Sequence, residues 1–176
     1  MEFSFLYAIP RAPILDNFFL AMTTLAGPHG ELCLGLAIVL LAFRKTRKIG
    51  AAALISYFGV LLFGQLLLKR LIARPRPCQL DQAFAMLVER PTSSSFPSTH
   101  SAWAFGAATA ILMNHRKAGV GALVVAALIA FSRLYLFVHF PTDVLAGILL
   151  GIGTGILGVK LCDYYEKRRA GLSDHG

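Results

Sequence analysis

Charged side chains are scarce in this sequence. Asp, Glu, Lys and Arg together make up 15% of its 176 residues, whereas 56% of the residues are hydrophobic. A soluble domain of this size needs more charge on its surface, so the composition excludes an ordinary soluble globular protein. The length is typical of one domain, and we expect residues 1–176 to form a single membrane-embedded unit.

Cysteine is sparse, and we expect no cleavable leader. The three cysteines, Cys33, Cys78 and Cys162, have the spacing of neither a metal site nor a disulfide framework. Cys33 and Cys162 lie in apolar segments, where we expect them to act as small hydrophobic residues. Cys78 lies in a polar loop, and the sequence assigns it no role. The N-terminus has neither the basic start nor the small-residue cleavage site of a signal peptide. We therefore expect the first membrane helix to direct insertion.

Long apolar runs are abundant. The strongest cover residues 49–68, 118–132 and 144–159, near or within reach of the roughly 20 residues that a helix needs to cross a bilayer. We predict an all-α, polytopic membrane protein built as a bundle of six transmembrane helices. The predicted helices cover about residues 14–26, 31–43, 49–72, 98–114, 118–138 and 141–165. The first two are short, and we expect them either to cross together as a hairpin or not to cross.

The basic residues are distributed in a way that predicts orientation. The net charge is +8, but Lys and Arg lie between and after the apolar segments, so we expect no nucleic-acid partner. Basic runs at 44–48 and 115–117, and the basic tail at about 166–176, fall on one face in this topology. The positive-inside rule makes that face cytoplasmic, together with both termini. The loop at 72–97 and the 138–142 connection then lie on the extracytoplasmic face.

Two further patterns concern packing. Small residues recur at every fourth position of the sixth predicted helix, at Gly147, Gly151 and Gly155. They favour close packing within the bundle over dimerisation.

In the long loop, apolar residues recur at helical spacing, at Leu80, Ala83, Phe84, Leu87 and Val88. This pattern predicts a short amphipathic helix over about 79–90 that covers the site or lies on lipid.

Ionisable side chains gather at the extracytoplasmic ends of the third to sixth predicted helices. They and their polar neighbours are Lys69, Arg70, Arg74, Arg76, Ser98, Thr99, His100, Arg133, His139 and Asp143. Ionisable groups at membrane depth are costly, which indicates function. Arg and Lys can neutralise phosphate oxygens, and the helix start at Ser98 offers free backbone N–H groups to an anion. Arg70 is better explained by contact with lipid headgroups.

The two histidines suggest a nucleophile and an acid. His139 and Asp143 are four residues apart at a helix start, so the carboxylate can accept the imidazole N–H and leave the other ring nitrogen free to attack. His100 can then donate a proton to the departing oxygen. These residues predict phosphoryl chemistry on a lipid, at an active site formed by the ends of four helices.

Three segments carry a family resemblance. Residues 69–77 resemble the Lys-x6-Arg-Pro signature of the type 2 phosphatidic acid phosphatase superfamily, residues 97–100 its Pro-Ser-Gly-His signature, and residues 132–143 its Ser-Arg-x5-His-x3-Asp signature. The resemblance implies a six-helix bundle and a phosphohistidine reaction without metal or other cofactor. It assigns catalytic roles to His139, His100 and Asp143. It assigns phosphate binding to Lys69, Arg76, Ser98, Thr99 and Arg133, with Arg74 in support.

Thr99 departs from this resemblance, because the signature has glycine there. A threonine side chain narrows the pocket or adds a hydroxyl contact, which affects the fit of the substrate more than the chemistry. We therefore expect the reaction itself to be unchanged, with the difference expressed in which lipids the pocket accepts.

The expected function is removal of phosphate from a lipid phosphate or pyrophosphate in the cytoplasmic membrane, without an obligate protein partner. An outward-facing site favours undecaprenyl pyrophosphate, and phosphatidylglycerophosphate, phosphatidic acid and lipid A 1-phosphate stay open. One alternative is a phosphotransferase that passes the phosphate to a second lipid. Another is a lipid or anion transporter, which predicts inverted repeats and a midplane site that this sequence does not show.

Overall fold

The computed structural model describes residues 2–173, with side chains for residues 2–170, and this part of the chain is helical without strands. The helices are α1 (Glu2–Tyr7), α2 (Pro13–Ala26), α3 (Glu31–Ala42), α4 (Arg47–Val60), a π-helix (Leu61–Leu68), α5 (Lys69–Ile72), α6 (Pro77–Leu80), α7 (Thr99–Asn114), α8 (Arg116–Tyr135) and α9 (Pro141–Ser173). Residues 174–176 of the predicted basic tail lie outside the described range.

Local signals place the helix ends close to where the sequence predicts them. Pro13 and Pro141 open α2 and α9, because a proline has no N–H to lose in the first turn. Gly27 ends α2 with φ of 72°, a backbone conformation that glycine adopts without strain. The third predicted helix is continuous from Arg47 to Ile72, but it contains the π-helix, which the sequence did not predict.

Three helical segments are long and apolar enough to cross a membrane. Within the described residues these are Arg47–Leu80, Arg116–Tyr135 and Pro141–Ala170. Helices α2 and α3 pass the same test together, with a bend of 51° between them. That bend is far from the reversal of a hairpin, so the prediction of a hairpin is wrong. Three crossings, or four with the bent pair, are fewer than six, and six crossings stay a prediction.

The two ends of the described chain lie at opposite ends of the bundle. Glu2 Oε1 accepts hydrogen bonds from the N–H of Thr142 at 3.2 Å and from its hydroxyl at 2.7 Å, next to the start of α9. Helix α9 then continues past residue 170, about 40 Å further on at 1.5 Å per residue. This arrangement of the described ends does not favour two cytoplasmic termini, whose placement stays a prediction.

Helix α7 is the most enclosed helix, and it packs against α4, α8 and α9. The predicted small-residue face of α9 lies against it. A Cβ atom at Gly147, Gly151 or Gly155 would collide with the backbone carbonyls of Ser98, Ala102 and Gly106 of α7. The small residues therefore allow two backbones to approach within the bundle, as the sequence indicated. This contact holds the start of α7 next to the start of α9, where the site lies.

The loop between α6 and α7 is not the amphipathic helix that the sequence predicted. One side chain binds four carbonyls at its start: Arg90 donates to the backbone oxygens of Cys78, Asp81, Gln82 and Phe84. The ring of Phe84 stacks on Phe137 with centroids 3.9 Å apart. The apolar residues of the loop thus pack onto the protein core through irregular backbone, and the prediction of a helix over 79–90 is wrong.

Candidate active site

A cavity of 550 Å³ opens at the end of the bundle where α5, α7 and α8 meet. It lies in the volume range of small-molecule sites. Five of the predicted site residues line it, namely Lys69, Arg76, Thr99, His100 and Arg133. The fold thus brings residues that are up to 64 positions apart in the sequence to a single pocket, which is what a binding site for one small charged group requires.

The three cations of this cavity are buried. Lys69 is 9% exposed, Arg76 3% and Arg133 7%. None of them forms a salt bridge with a carboxylate in the part of the chain that the structure describes. Arg133 donates to the hydroxyl of Thr23, and its Nε is buried without a hydrogen-bond partner. Burying an unpaired charge costs several kcal/mol, so this arrangement suits an anion that enters from outside.

Gln65 is a lining residue that the sequence analysis missed. It lies on the π-helix, lines the same cavity, and its Oε1 is buried without a hydrogen-bond partner. π-Helical turns are frequent at functional sites. The sequence did contain a signal, because Gln65 is the one amide side chain in the apolar run of residues 61–68. Hydropathy alone predicts that this run contacts lipid, so the amide was overlooked.

Arg76 connects the cavity to the histidine predicted as nucleophile. Its guanidinium donates to the carbonyls of Ser93 and Val138 at 2.7 and 2.9 Å. Its Nη1 lies 3.1 Å from His139 Nε2. A guanidinium can only donate, so Nε2 is the acceptor and the ring proton is assigned to Nδ1. The nitrogen next to the cations therefore carries the lone pair.

His139 is 1% exposed, in the connection between α8 and α9. Its burial, and then the positive charges of Arg76, Arg133 and Lys69, hold its pKa well below the ordinary value of 6.5. The imidazole is consequently neutral near pH 7, the form that can attack an electrophile.

Asp143 contacts His139 less directly than the sequence predicted. The distance from His139 Nδ1 to Asp143 Oδ2 is 3.8 Å, too long for a hydrogen bond. Oδ2 instead accepts from the hydroxyl of Ser95 at 2.5 Å and from the N–H of Phe140 at 2.8 Å. The predicted hydrogen bond between the two residues is therefore wrong, and Ser95, which precedes the second signature by two positions, was missed.

Four predicted site residues do not line the cavity, namely His139, Asp143, Arg74 and Ser98. Arg74 Nη1 donates to Asp143 Oδ1 and Thr142 Oγ1, both at 2.7 Å, and its Nη2 pairs with Glu2 at 2.5 Å. Its contact is thus with Asp143 and not with the cavity. The hydroxyl of Ser98 lies 2.9 Å from that of Ser101, and the Ser98 N–H donates to the Asp143 carbonyl at 3.0 Å. Ser98 thereby joins the starts of α7 and α9.

His100 and Thr99 occupy the first turn of α7. His100 Nε2 lies 2.9 Å from the carbonyl of Gly27, so this nitrogen is the donor and Nδ1 is the second nitrogen. Thr99 is 3% exposed, and its methyl group faces Gly64 of the π-helix. The threonine that replaces the usual glycine fills space between α7 and the π-helix.

The protein-family comparison decides the family. The model of the PAP2 superfamily matches residues 45–167 of this chain. The chain belongs to the PAP2 superfamily. The matched range contains all three signatures, and membership makes the chain a membrane phosphatase.

Similar proteins share this assignment. An undecaprenyl-diphosphatase of Sulfolobus acidocaldarius is 35% identical over 70% of this chain and 60% of its own length. A decaprenylphosphoryl-5-phosphoribose phosphatase of Mycobacterium tuberculosis is 30% identical over 89% of this chain and 88% of its own. The crystal structure of LpxE from Aquifex aeolicus is 33% identical, with a TM-score of 0.68 over 85% of this chain and 88% of that chain.

Proposed function

We propose that this PAP2-superfamily phosphatase removes the terminal phosphate of a polyprenyl diphosphate in the membrane, without metal, through a phosphohistidine at His139. The observation that carries the proposal is the set of three buried cations without a carboxylate partner, next to the lone pair of a neutral histidine. Such a pocket stabilises an anion and presents a nucleophile to it. The cations supply the positive charge that a metal ion brings in other phosphatases.

Binding comes first in this mechanism. Lys69, Arg76 and Arg133 neutralise the oxygens of the terminal phosphate, and Arg76 holds the phosphate within reach of His139. Arginine can bind two phosphate oxygens at once, which also fixes the orientation of the phosphorus atom. Thr99 lies in the same cavity, and we propose that its hydroxyl contacts the phosphate or the group attached to it.

Chemistry follows in two displacements. His139 Nε2 forms a bond to phosphorus while the bond from phosphorus to the leaving oxygen breaks. His100 enters this step as the imidazolium, a form that the negative charge of the bound substrate favours, and its Nδ1–H gives the leaving oxygen a proton. A water molecule then attacks the phosphohistidine and loses its proton to His100, which frees inorganic phosphate and restores both histidines. The bond from His100 Nε2 to the Gly27 carbonyl supports this role, because it leaves Nδ1 as the nitrogen for the substrate.

The substrate class rests on chemistry and on the relatives. The cavity combines three cations with apolar lining residues, and we propose that it binds the phosphate group while the lipid chain stays in the bilayer. Two similar proteins are named for undecaprenyl and decaprenylphosphoryl substrates, and we extend the polyprenyl class to this chain. Phosphatidylglycerophosphate, phosphatidic acid and lipid A phosphates are the other substrates to compare.

The cavity faces the extracytoplasmic side in this proposal. Lys48 pairs with Asp163 and Glu166, and Thr46 and His115 line one shared pocket, so the basic loops 44–48 and 115–117 gather at the other end of the bundle. Cytoplasmic loops carry the excess of Lys and Arg. Labelling of single cysteines in the 44–48 and 81–98 loops in intact cells tests this orientation.

The deciding experiment is phosphate release by the purified protein in detergent, with a chelator present, from a panel of lipid phosphates. We expect release that is fastest with polyprenyl diphosphate and is abolished by His139→Ala. His115→Gln, which changes a histidine at the other end of the bundle, is the matched control and keeps wild-type activity.

Three results would count against the proposal. A requirement for added metal would remove the metal-independent mechanism. Full activity of His139→Ala would remove the phosphohistidine. Phosphate recovered on a second lipid, with no free phosphate, would make the protein a transferase.

A further inference from the structure

The contacts of Asp143 leave open how this carboxylate acts on His139. It has no hydrogen bond to the ring, since Oδ2 and Nδ1 are 3.8 Å apart. Ser95 lies between them, with its Oγ 2.5 Å from Asp143 Oδ2 and 3.5 Å from His139 Nδ1. The first distance is that of a short hydrogen bond and the second lies at the upper limit of one, whereas the direct distance exceeds the limit.

The protons of this cluster have one consistent arrangement. Ionised Asp143 can only accept, so the Ser95 hydroxyl donates to it, and the oxygen of that hydroxyl is then available to accept from His139 Nδ1–H. At the other end of the ring, Arg76 can only donate to Nε2. The bonds at the two ring nitrogens thus require the same tautomer, the one with its lone pair at Nε2.

Ser95 is well placed for such a role. It is fully buried, and its N–H donates to the Arg74 carbonyl at 2.8 Å, which fixes the backbone next to the ring. Its carbonyl is a second acceptor for the same Nδ1–H, so the backbone and the side chain of Ser95 share this proton. Neither Ser95 nor His139 lines the cavity, and the contact of Ser95 is with the ring.

We propose that Ser95 is a positioning residue that connects Asp143 to His139, and that its hydroxyl holds the ring in the Nδ1–H form with Nε2 directed at the phosphate. This inference rests on the proposed nucleophilic role of His139. It adds a residue that lies outside the three signatures of the superfamily. Asp143 then acts on the ring through the serine, and its other oxygen is held by Arg74.

Ser95→Ala removes the hydroxyl and keeps the backbone carbonyl. We expect kcat to fall about 10- to 100-fold, as for other residues that orient a reacting histidine, with KM changed by less than about twofold because the cavity is untouched. Ser95→Thr keeps the hydroxyl and is expected to recover most of the activity. Ser94→Ala is the matched control: it is the adjacent serine, and its hydroxyl faces the Arg74 carbonyl instead of the ring.

The second readout is the ring itself. In protein with ¹⁵N-labelled histidine, the His139 signals, assigned with His139→Ala, show the Nδ1–H tautomer in the wild type and in Ser94→Ala. In Ser95→Ala the carbonyl and Arg76 still favour that tautomer, and we expect a measurable minor fraction of the Nε2–H form because the hydroxyl acceptor is lost. A purely structural loss would lower the melting temperature and leave the tautomer unchanged.

Two outcomes overturn the proposal: activity of Ser95→Ala within twofold of Ser94→Ala, or an unchanged tautomer in a folded Ser95→Ala protein. The tautomer measurement needs no substrate. It therefore decides the role of Ser95 even if the wild type releases phosphate from none of the lipids, an outcome that contradicts the proposed function alone.

Discussion

Basic residues at the two ends of the bundle differ in burial and in ion pairing. At one end Lys48 bonds to Asp163 at 2.5 Å and to Glu166 at 2.7 Å, and about a third of its side chain is exposed. At the other end Lys69, Arg76 and Arg133 are buried, and no carboxylate within the described residues pairs with them. Exposed ion pairs such as those of Lys48 change the free energy of folding little. Burying three unpaired cations lowers the stability of the protein, which indicates that an anionic ligand balances their charge.

Arg74 shows that the difference is specific. It lies at the same end as the three cavity cations, yet it bonds to Asp143 and Glu2 and stacks over the ring of Phe140 at 4.2 Å. Position near the site therefore does not by itself leave a cation unpaired. Among these four cations, the three that line the cavity have no carboxylate partner in the described part of the chain.

The largest effect is expected from removing one of the unpaired cations. Arg133→Met should lower kcat/KM about 100- to 1,000-fold, because a donor to the transferred phosphate is lost. The same change should leave the melting temperature of the phosphate-free protein equal or higher, since an unpaired buried charge is replaced by an apolar side chain. Kinetics and thermal unfolding in detergent measure both, and a large loss of stability would show that Arg133 is paired after all.

An intermediate effect concerns the protonation of His139. The cavity cations lower its pKa, so we expect its ring to stay neutral as the pH falls below 6.5 and to take up a proton only well below that. In Arg133→Met one positive neighbour is gone, and the midpoint should move up toward 6.5. Titration of ¹⁵N-labelled histidine follows both proteins, and a wild-type midpoint above 6.5 would contradict the electrostatic argument.

The smallest effect is expected at the other end of the bundle. Lys48→Met breaks two partly exposed ion pairs and should lower the free energy of unfolding by less than about 1 kcal/mol. Phosphate release should be unchanged. If Lys48→Met instead reduced activity as Arg133→Met does, the distinction between paired and unpaired cations would have no functional meaning.

The sequence predicted those parts of the fold that depend on local signals. Apolar run length and the prolines at 13 and 141 placed the starts of the six predicted helices within about two residues, whereas α1 was missed and α9 continues to Ser173, past its predicted end at about 165. The signature residues 69, 76, 100 and 133 meet in the cavity, although which of them bind phosphate stays a prediction.

The failures concern interactions between distant segments. The periodicity of residues 80–88 predicted a helix, but the Arg90 side chain satisfies carbonyls that a helix would use internally, and Phe84 packs on Phe137. Likewise, nothing near Glu2 in the sequence indicates its bonds to Arg74 and Thr142, which place the start of the described chain at the site. Ser95 was missed because its two partners are 44 and 48 residues away.

The break between α2 and α3 also determines how His100 is held. The Gly27 carbonyl is available to His100 because α2 ends there, and Gly30, with φ of 74°, passes so close to the ring of Trp103 that a Cβ would collide with it. One hydrogen bond therefore joins the proposed acid to the break between two helices that are bent by 51°. The direction of the proposed proton donor is thus set by a backbone group 73 residues away, in a part of the chain that none of the three signatures covers.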